Sequence, residues 1–159
     1  MHFDASGIIH AWDNYPIGNF PPFWDWIEAE IGNDAFAISE IAFDEVKNKA
    51  PECADWLKNK GIRKISLSDD VLVKAAEFKT LLGVVAENYH SDGVGENDLL
   101  IVAAAYLENA ILLTEERRQN ILPVQKRKYK IPAVCALVEI GVSCNNVREL
   151  IAASGVIFR

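Results

Sequence analysis

Asp98-Leu99-Leu100-Ile101-Val102-Ala103-Ala104-Ala105-Tyr106-Leu107 is apolar on nearly every side, and just beyond it Ala110-Ile111-Leu112-Leu113-Thr114 reads as a strand without polar alternation. A helix with no polar face must be covered all round, and such a strand must be covered above and below. The pair therefore predicts a central helix packed on a sheet that carries helices on both faces.

Outward from this pair the alternation repeats. A short strand over residues 2–4 precedes a helical pattern over 5–12. The apolar stretch 35–38 precedes a helix over 40–49 with Ser39 as its N-cap. A strand at 65–67 leads through Ser68-Asp69-Asp70 into a long helical pattern over 71–89. Residues 14–22 are too rich in Pro, Gly and Asn to be regular, and they feed a helix over 23–31; Pro51 opens another that runs to Gly61. Residues 91–97 read as a loop. The last third holds a basic segment at 126–130, a helix opened by Ile131-Pro132, a capped helix over about 146–153 and a closing apolar strand over 156–158. These patterns predict an α/β fold of three layers, α/β/α, around a short-stranded, mainly parallel central sheet. At 159 residues without internal repeats, the chain is expected to form a single domain over 1–159.

Composition excludes several classes. Half the residues are hydrophobic, too many for a disordered chain. No apolar run approaches the roughly 18 residues of a membrane span, and the start lacks the layout of a signal peptide, so a cytoplasmic protein with no membrane partner is expected. Cys53, Cys135 and Cys144 are widely spaced and read as buried free thiols; with His2, His10 and His90 they offer no zinc spacing. With 16 Lys+Arg against 23 Asp+Glu the net charge is −7, so any nucleic-acid contact needs a local basic surface. Residues 117–130 hold six of the bases: Arg117, Arg118, Lys126, Arg127, Lys128 and Lys130. They suit phosphate binding as well as they suit an ordinary solvated charge run. Trp12, Tyr15, Phe20, Trp24 and Trp26 suit core packing better than base stacking.

In open α/β sheets ligands gather at the carboxyl ends of the strands. The acids placed there are Asp4 after the first strand, Glu115 and Glu116 after the 110–114 strand, Asp98 at the head of the apolar helix, and Glu45 on a helix that also carries Glu40 and Asp44. Asp4 and Asp98 also fit the plainer role of helix caps. Converging carboxylates repel one another unless a hard cation sits among them, and Mg²⁺ or Mn²⁺ suits an all-oxygen set.

Phe3-Asp4-Ala5-Ser6, Ile38-Ser39-Glu40-Ile41-Ala42-Phe43-Asp44-Glu45-Val46, Glu96-Asn97-Asp98-Leu99-Leu100-Ile101-Val102-Ala103-Ala104-Ala105 and Ile111-Leu112-Leu113-Thr114-Glu115-Glu116 resemble, in order and separation, the acidic motifs of PIN-domain ribonucleases, whose best-known members are VapC-type toxins. The stretch Trp12…Tyr15-Pro16…Phe20-Pro21…Trp24 and the late Lys130-Ile131-Pro132-Ala133-Val134-Cys135 are similar to a bacterial and archaeal PIN subfamily. The resemblance implies a PIN-like fold and places Asp4, Glu45, Asp98 and Glu116 as metal ligands. Many PIN domains have Asp at the last position, in a Thr-x-Asp context. It also implies supporting roles for Ser6, Asn97 and Thr114, which orient ligands without binding directly.

The implied activity is Mg²⁺- or Mn²⁺-dependent hydrolysis of RNA by an endoribonuclease. The implied partners are the RNA substrate, a small antitoxin protein of a type II toxin–antitoxin module and, as one assembly open to it, a second copy in a homodimer. RNA processing without an antitoxin and a catalytically silent PIN fold used for binding are the alternatives. An Asp-nucleophile phosphotransferase would want a second Asp two residues after Asp4, where Ser6 stands.

Overall fold

Phe3, Ile38, Leu112 and Leu113 are almost wholly buried, and each belongs to a strand so short that its neighbours, more than its own length, hold it in place. The computed structural model describes residues 1–159. Its elements in chain order are β1 (His2–Phe3), α1 (Ala5–Asn14), α2 (Pro21–Gly32), β2 (Ala37–Ser39), α3 (Glu40–Lys49), α4 (Pro51–Asn59), β3 (Arg63–Ile65) and α5 (Asp69–Leu81). They continue with α6 (Glu96–Leu107), β4 (Leu112–Leu113), a 3-10 turn (Lys126–Lys128), α7 (Ile131–Cys135), β5 (Cys144–Asn145) and α8 (Val147–Ser154).

The five strands form one sheet in the order β3-β2-β1-β4-β5, and every pairing is parallel. His2 pairs with Ala37 on one side and Leu112 on the other, and Phe3 with Ile38 and Leu113. The chain moves outward in one direction from β1 through β2 to β3, then returns across the sheet to β4 and continues the other way to β5. With right-handed crossovers this reversal sends α1–α4 and α5–α7 to opposite faces. Within each set the helices pack together, α3 on α4 and α1, α5 on α6 and α6 on α7, and the two sets meet where α3 touches α6. This is the α/β architecture expected from the sequence, a PIN-like sheet flanked by helices, with the sheet parallel throughout rather than mainly so.

The local signals act as expected at most helix starts. Ser39 Oγ accepts the Ala42 N–H at 3.1 Å, Ser68 Oγ accepts from Val71 at 3.3 Å, and Asn146 Oδ1 accepts from Glu149 at 2.8 Å. Seven successive residues of α6, Leu99 to Ala105, are buried, as its all-round apolarity required. A core of 40 residues joins both helical layers to the sheet. Within it Trp24 is 2% exposed and packs edge-on against Trp12, Phe23 and Trp56. The aromatic stretch 12–26 thus serves mainly packing, and Cys53 and Cys135 are buried free thiols while Cys144 is half-buried.

Two expectations need correction, and one strand was not expected. The helix expected over 71–89 stops at Leu81, because Gly83 takes a left-handed φ of 71° and the Val84 and Gly83 N–H groups turn back onto Lys79 O and Thr80 O. That is a glycine-terminated helix end, which a pattern of apolar spacing alone overruns. The closing strand expected over 156–158 is absent: Phe158 packs on Phe23 and Trp26, and no strand pairs with this tail. The outer strand is β5, whose Cys144-Asn145 carries no alternation and pairs through backbone with Leu112 and Leu113.

At the amino ends of the strands Glu108, just past α6, ties three elements together. Both Arg63 terminal nitrogens donate to its carboxylate at 2.9 Å, and His2 Nε2 stands 2.9 Å away. Arg63, then His2, hold the Glu108 carboxyl down at about 2. Because the folded value lies below the ordinary one, the stabilisation is complete above pH 4.5 and is lost as pH falls through about 2. Glu108→Gln should therefore lower the unfolding free energy at pH 7 by up to about 1 kcal/mol, the solvent-screened value of a partly exposed pair. The deficit should close by pH 2, read by urea titration at both pH values.

Candidate metal centre

β1 and β4 are neighbours, but the chain leaves them in opposite directions, so the loops at their carboxyl ends part and leave a crevice. Asp4 follows β1 and Thr114 follows β4, which puts both at its floor. Asp4 occupies the N-cap position of α1, yet its side chain makes no capping bond. Its Oδ2 instead accepts from the Ser6 hydroxyl and, at 2.9 Å, from Thr114 Oγ1, while Oδ1 has no hydrogen-bond partner. Ser6 Oγ also lies 3.2 Å from Thr114 Oγ1 and accepts the Glu115 N–H at 3.0 Å. Asp4 is only 3% exposed, so these donors hold an anion that burial would otherwise penalise. The approach depends on Gly7, where a Cβ would fall 2.5 Å from Leu113 O on β4.

The other expected acids stand on three further elements, near enough for Asp98 to feel the charge of the rest. Asp98 sits in the first turn of α6 and its Oδ2 accepts the Gly95 N–H at 2.7 Å, leaving Oδ1 free. It therefore caps its helix with one oxygen only. On α3, Glu45 accepts from Asn97 Nδ2 at 3.4 Å and lies 3.8 Å from Lys49 Nζ. Of its rivals, Glu40 is spent on the Leu67 N–H at 3.0 Å and Asp44 is exposed. Glu116 donates its N–H to Thr114 Oγ1 at 3.2 Å, and its carboxylate accepts the Ile131 N–H at 2.8 Å. Glu115 turns the other way, to the Val147 N–H at 2.7 Å.

Asp98 registers the charge of the other three acids. Burial first, then the charges of Glu116, Asp4 and Glu45, raise the Asp98 carboxyl to about 6, against the pull of the Gly95 N–H. As placed, however, no three Asp, Glu, His or Cys side chains are grouped closely enough to hold one metal ion. Asp98 and Glu116 each take a backbone N–H and Glu45 takes an amide, donors that stand where a cation would otherwise balance the charge. The set is chemically suited to a hard divalent ion: its donors are all oxygen, and Asp4 and Asp98 each keep one oxygen without a partner.

The basic segment lies along the same edge, directly after Glu116. Arg118 donates to Glu149 at 2.7 Å and to Cys144 O at 3.2 Å, so it braces α8 and β5. Gln119, which sequence reading passed over, bridges the loop by donating to Lys128 O at 3.0 Å and accepting from Lys130 N–H at 2.8 Å. No spacing signal marks such a brace. Gly7 was discoverable as a glycine inside a helical pattern, a common sign of close backbone approach.

A family model described as a domain of unknown function, DUF4411, matches residues 1–158. No curated protein matches the sequence. Among solved structures, the chain is similar to one in the crystal structure of VapBC2 from Rickettsia felis bound to a DNA fragment from their promoter. The two are 23% identical with a TM-score of 0.52, over 72% of this chain and 86% of that one. This is a likeness of fold.

For Asp98 the folded value lies above the unfolded one, so ionisation opposes folding and stability falls as pH rises from 3.8 through about 6. In EDTA, Asp98→Asn should unfold at higher urea than the parent at pH 7.5, by up to about 3 kcal/mol, and match it near pH 3.5. Thr114→Val should cost about 1–3 kcal/mol at pH 7.5, because it strips a donor from a buried carboxylate.

Proposed function

The chain belongs to the DUF4411 family, and we propose that this member is a divalent-metal-dependent endoribonuclease of the cytoplasm, the toxin of a type II toxin–antitoxin pair. The observation that carries the proposal is the Asp98 carboxyl, raised to about 6 first by burial and then by the charges of Glu116, Asp4 and Glu45. A perturbed acid near the carboxyl ends of the strands of an α/β sheet is a functional-site signature.

In this reading the four carboxylates hold Mg²⁺ or Mn²⁺. When bound, such an ion acidifies a water and offsets the charge that builds on the phosphoryl oxygens. Ser6 and Thr114 fix the Asp4 carboxylate, and Asn97 orients Glu45. Water oxygen attacks phosphorus as the P–O3′ bond breaks, which leaves a 5′ phosphate and a 3′ hydroxyl. Arg117, Arg118, Lys126, Arg127, Lys128 and Lys130 supply the positive surface that an RNA strand needs on a chain of net charge −7.

The partner in this reading is a small antitoxin protein that covers the acidic crevice with a basic side chain. The fold likeness to a chain of the VapBC2 assembly supports it. No helix is long and apolar enough to cross a membrane. A second reading, a silent PIN fold used for binding, draws support from Glu116, whose carboxylate is already engaged by the Ile131 N–H.

Partner-free protein should cut single-stranded RNA with Mn²⁺ and stop on addition of EDTA. Asp4→Asn and Asp98→Asn should abolish cleavage, and Ser6→Ala should weaken Mn²⁺ binding by about 10–100-fold, as loss of a ligand-orienting group does. Expression of the parent should arrest growth where Asp4→Asn does not. RNA left intact by the folded parent at saturating Mn²⁺ would favour the silent reading.

A further inference from the structure

On the loop that follows Glu116 lies a second concentration of charge, and the one carboxylate lining its cavity, Asp92, lies 3.6 Å from His90 Nδ1. The side chains of Arg117, Lys128 and Lys130 form no ion pair, although acids outnumber bases in the chain. All three line one cavity of about 540 Å³, whose polar wall also includes Ser91, Asp92, Asn120 and Arg118, the last already paired with Glu149. A smaller cavity of about 280 Å³, lined by Thr114, Glu115 and Glu116, shares Arg117 and Arg118 with it, so the cationic cavity adjoins the end of β4.

The walls are fixed. Gln119 braces one side through Lys128 O and Lys130 N–H. The other side is pinned at Gly93, where a Cβ would fall 2.0 Å from Arg127 O, and at Val94, whose N–H donates to Tyr129 O at 2.9 Å. His90 Nδ1 accepts the Asp92 N–H at 3.1 Å and sets the turn that presents Asp92.

Asp92 is the informative residue. In a site for a bare phosphate a carboxylate among three cations works against the ligand. It is favourable only where the ligand joins an anion to N–H donors. A nucleotide does so, and the volume falls in the range of about 300–1,000 Å³ typical of small-ligand sites. Guanine presents N1–H and N2–H side by side, matched to the two oxygens of one carboxylate. Uracil offers a single N–H between two carbonyl oxygens, which the carboxylate repels. A base can enter such a cavity only from an unstacked single strand.

We infer that this cavity is a nucleotide subsite next to the cleavage centre, in which Arg117, Lys128 and Lys130 take a phosphate and Asp92 selects an extruded guanine. The inference rests on the ribonuclease reading and deepens it with a base preference.

The test is binding in EDTA, where cleavage does not intervene, by anisotropy of a labelled oligouridine and of the same oligomer with one central guanosine. The guanosine should tighten binding about tenfold, within the range of a good two-bond base contact. Asp92→Asn and Asp92→Ala should erase that preference without weakening oligouridine binding. The Lys128→Gln/Lys130→Gln double variant should weaken both RNAs and lower the salt slope by about 1.4, the share of two phosphate contacts on a single strand. Equal affinity for the two RNAs, or a preference that survives both Asp92 variants, overturns the subsite. Cleavage with Mn²⁺ but no guanosine preference sinks the subsite alone. An Asp92-dependent preference without cleavage at saturating Mn²⁺ keeps the subsite and sinks the ribonuclease reading.

Discussion

The Asp4 carboxylate, nearly sealed from solvent and held by the hydroxyls of Ser6 and Thr114, ties the ends of two adjacent strands that are each two residues long. An ionised carboxylate at that depth costs several kcal/mol unless its oxygens are satisfied, so its donors are a condition of the fold as well as of the site. Strands this short offer few ladder bonds. The registry of β1 against β4 therefore depends on what joins them at the tips. At the carboxyl end this is the Asp4 cluster, and at the amino end it is the His2–Glu108–Arg63 group. Gly7 belongs to the same arrangement, because only a residue without a side chain lets α1 settle onto the Leu113 carbonyl while Asp4 reaches Thr114.

The charge is divided between the two edges of the sheet. At the amino edge acids and bases are paired, and the burial-lowered His2 stays neutral beside Glu108. At the carboxyl edge they are segregated: four acids around the crevice, with unpaired cations on the loop that follows. Segregation of this kind is costly in a structural role, since of these acids only Glu45, beside Lys49, has a basic partner to offset its charge. Arg118 and Glu115 are the exceptions, spent on Glu149 and the Val147 N–H, and both secure α8 against the sheet.

What the sequence made legible follows from where the signal was redundant. Helix starts with Ser39, Ser68 and Asn146 combine a cap with apolar spacing, and each forms as expected. The buried helix α6 and the strand beside it announced a covered sheet, and the parallel order followed from alternation. β5 escaped notice because two residues paired only through backbone leave no side-chain pattern, and the apolar tail 156–158 imitated a strand while burying itself against Phe23 and Trp26. At the site, the spacing of the acids pointed to the carboxyl ends of the strands, but which of Glu40, Asp44 and Glu45 faces α6 is a matter of helix phase that spacing near a strand end does not fix. The loop braces of Gln119 and Gly93 are long-range contacts and have no local signature.

Glu116 shows how an acidic crevice is kept stable before any cation arrives. Its carboxylate reaches the Ile131 N–H at the start of α7, and Asp98 reaches the Gly95 N–H at the start of α6, so two of the four negative charges rest on helix amino ends where the backbone field is positive. An aspartate at position 116 would be one methylene shorter. The glutamate thus has a physical reason to stand where related motifs carry Asp: it spans from the β4 tip to α7.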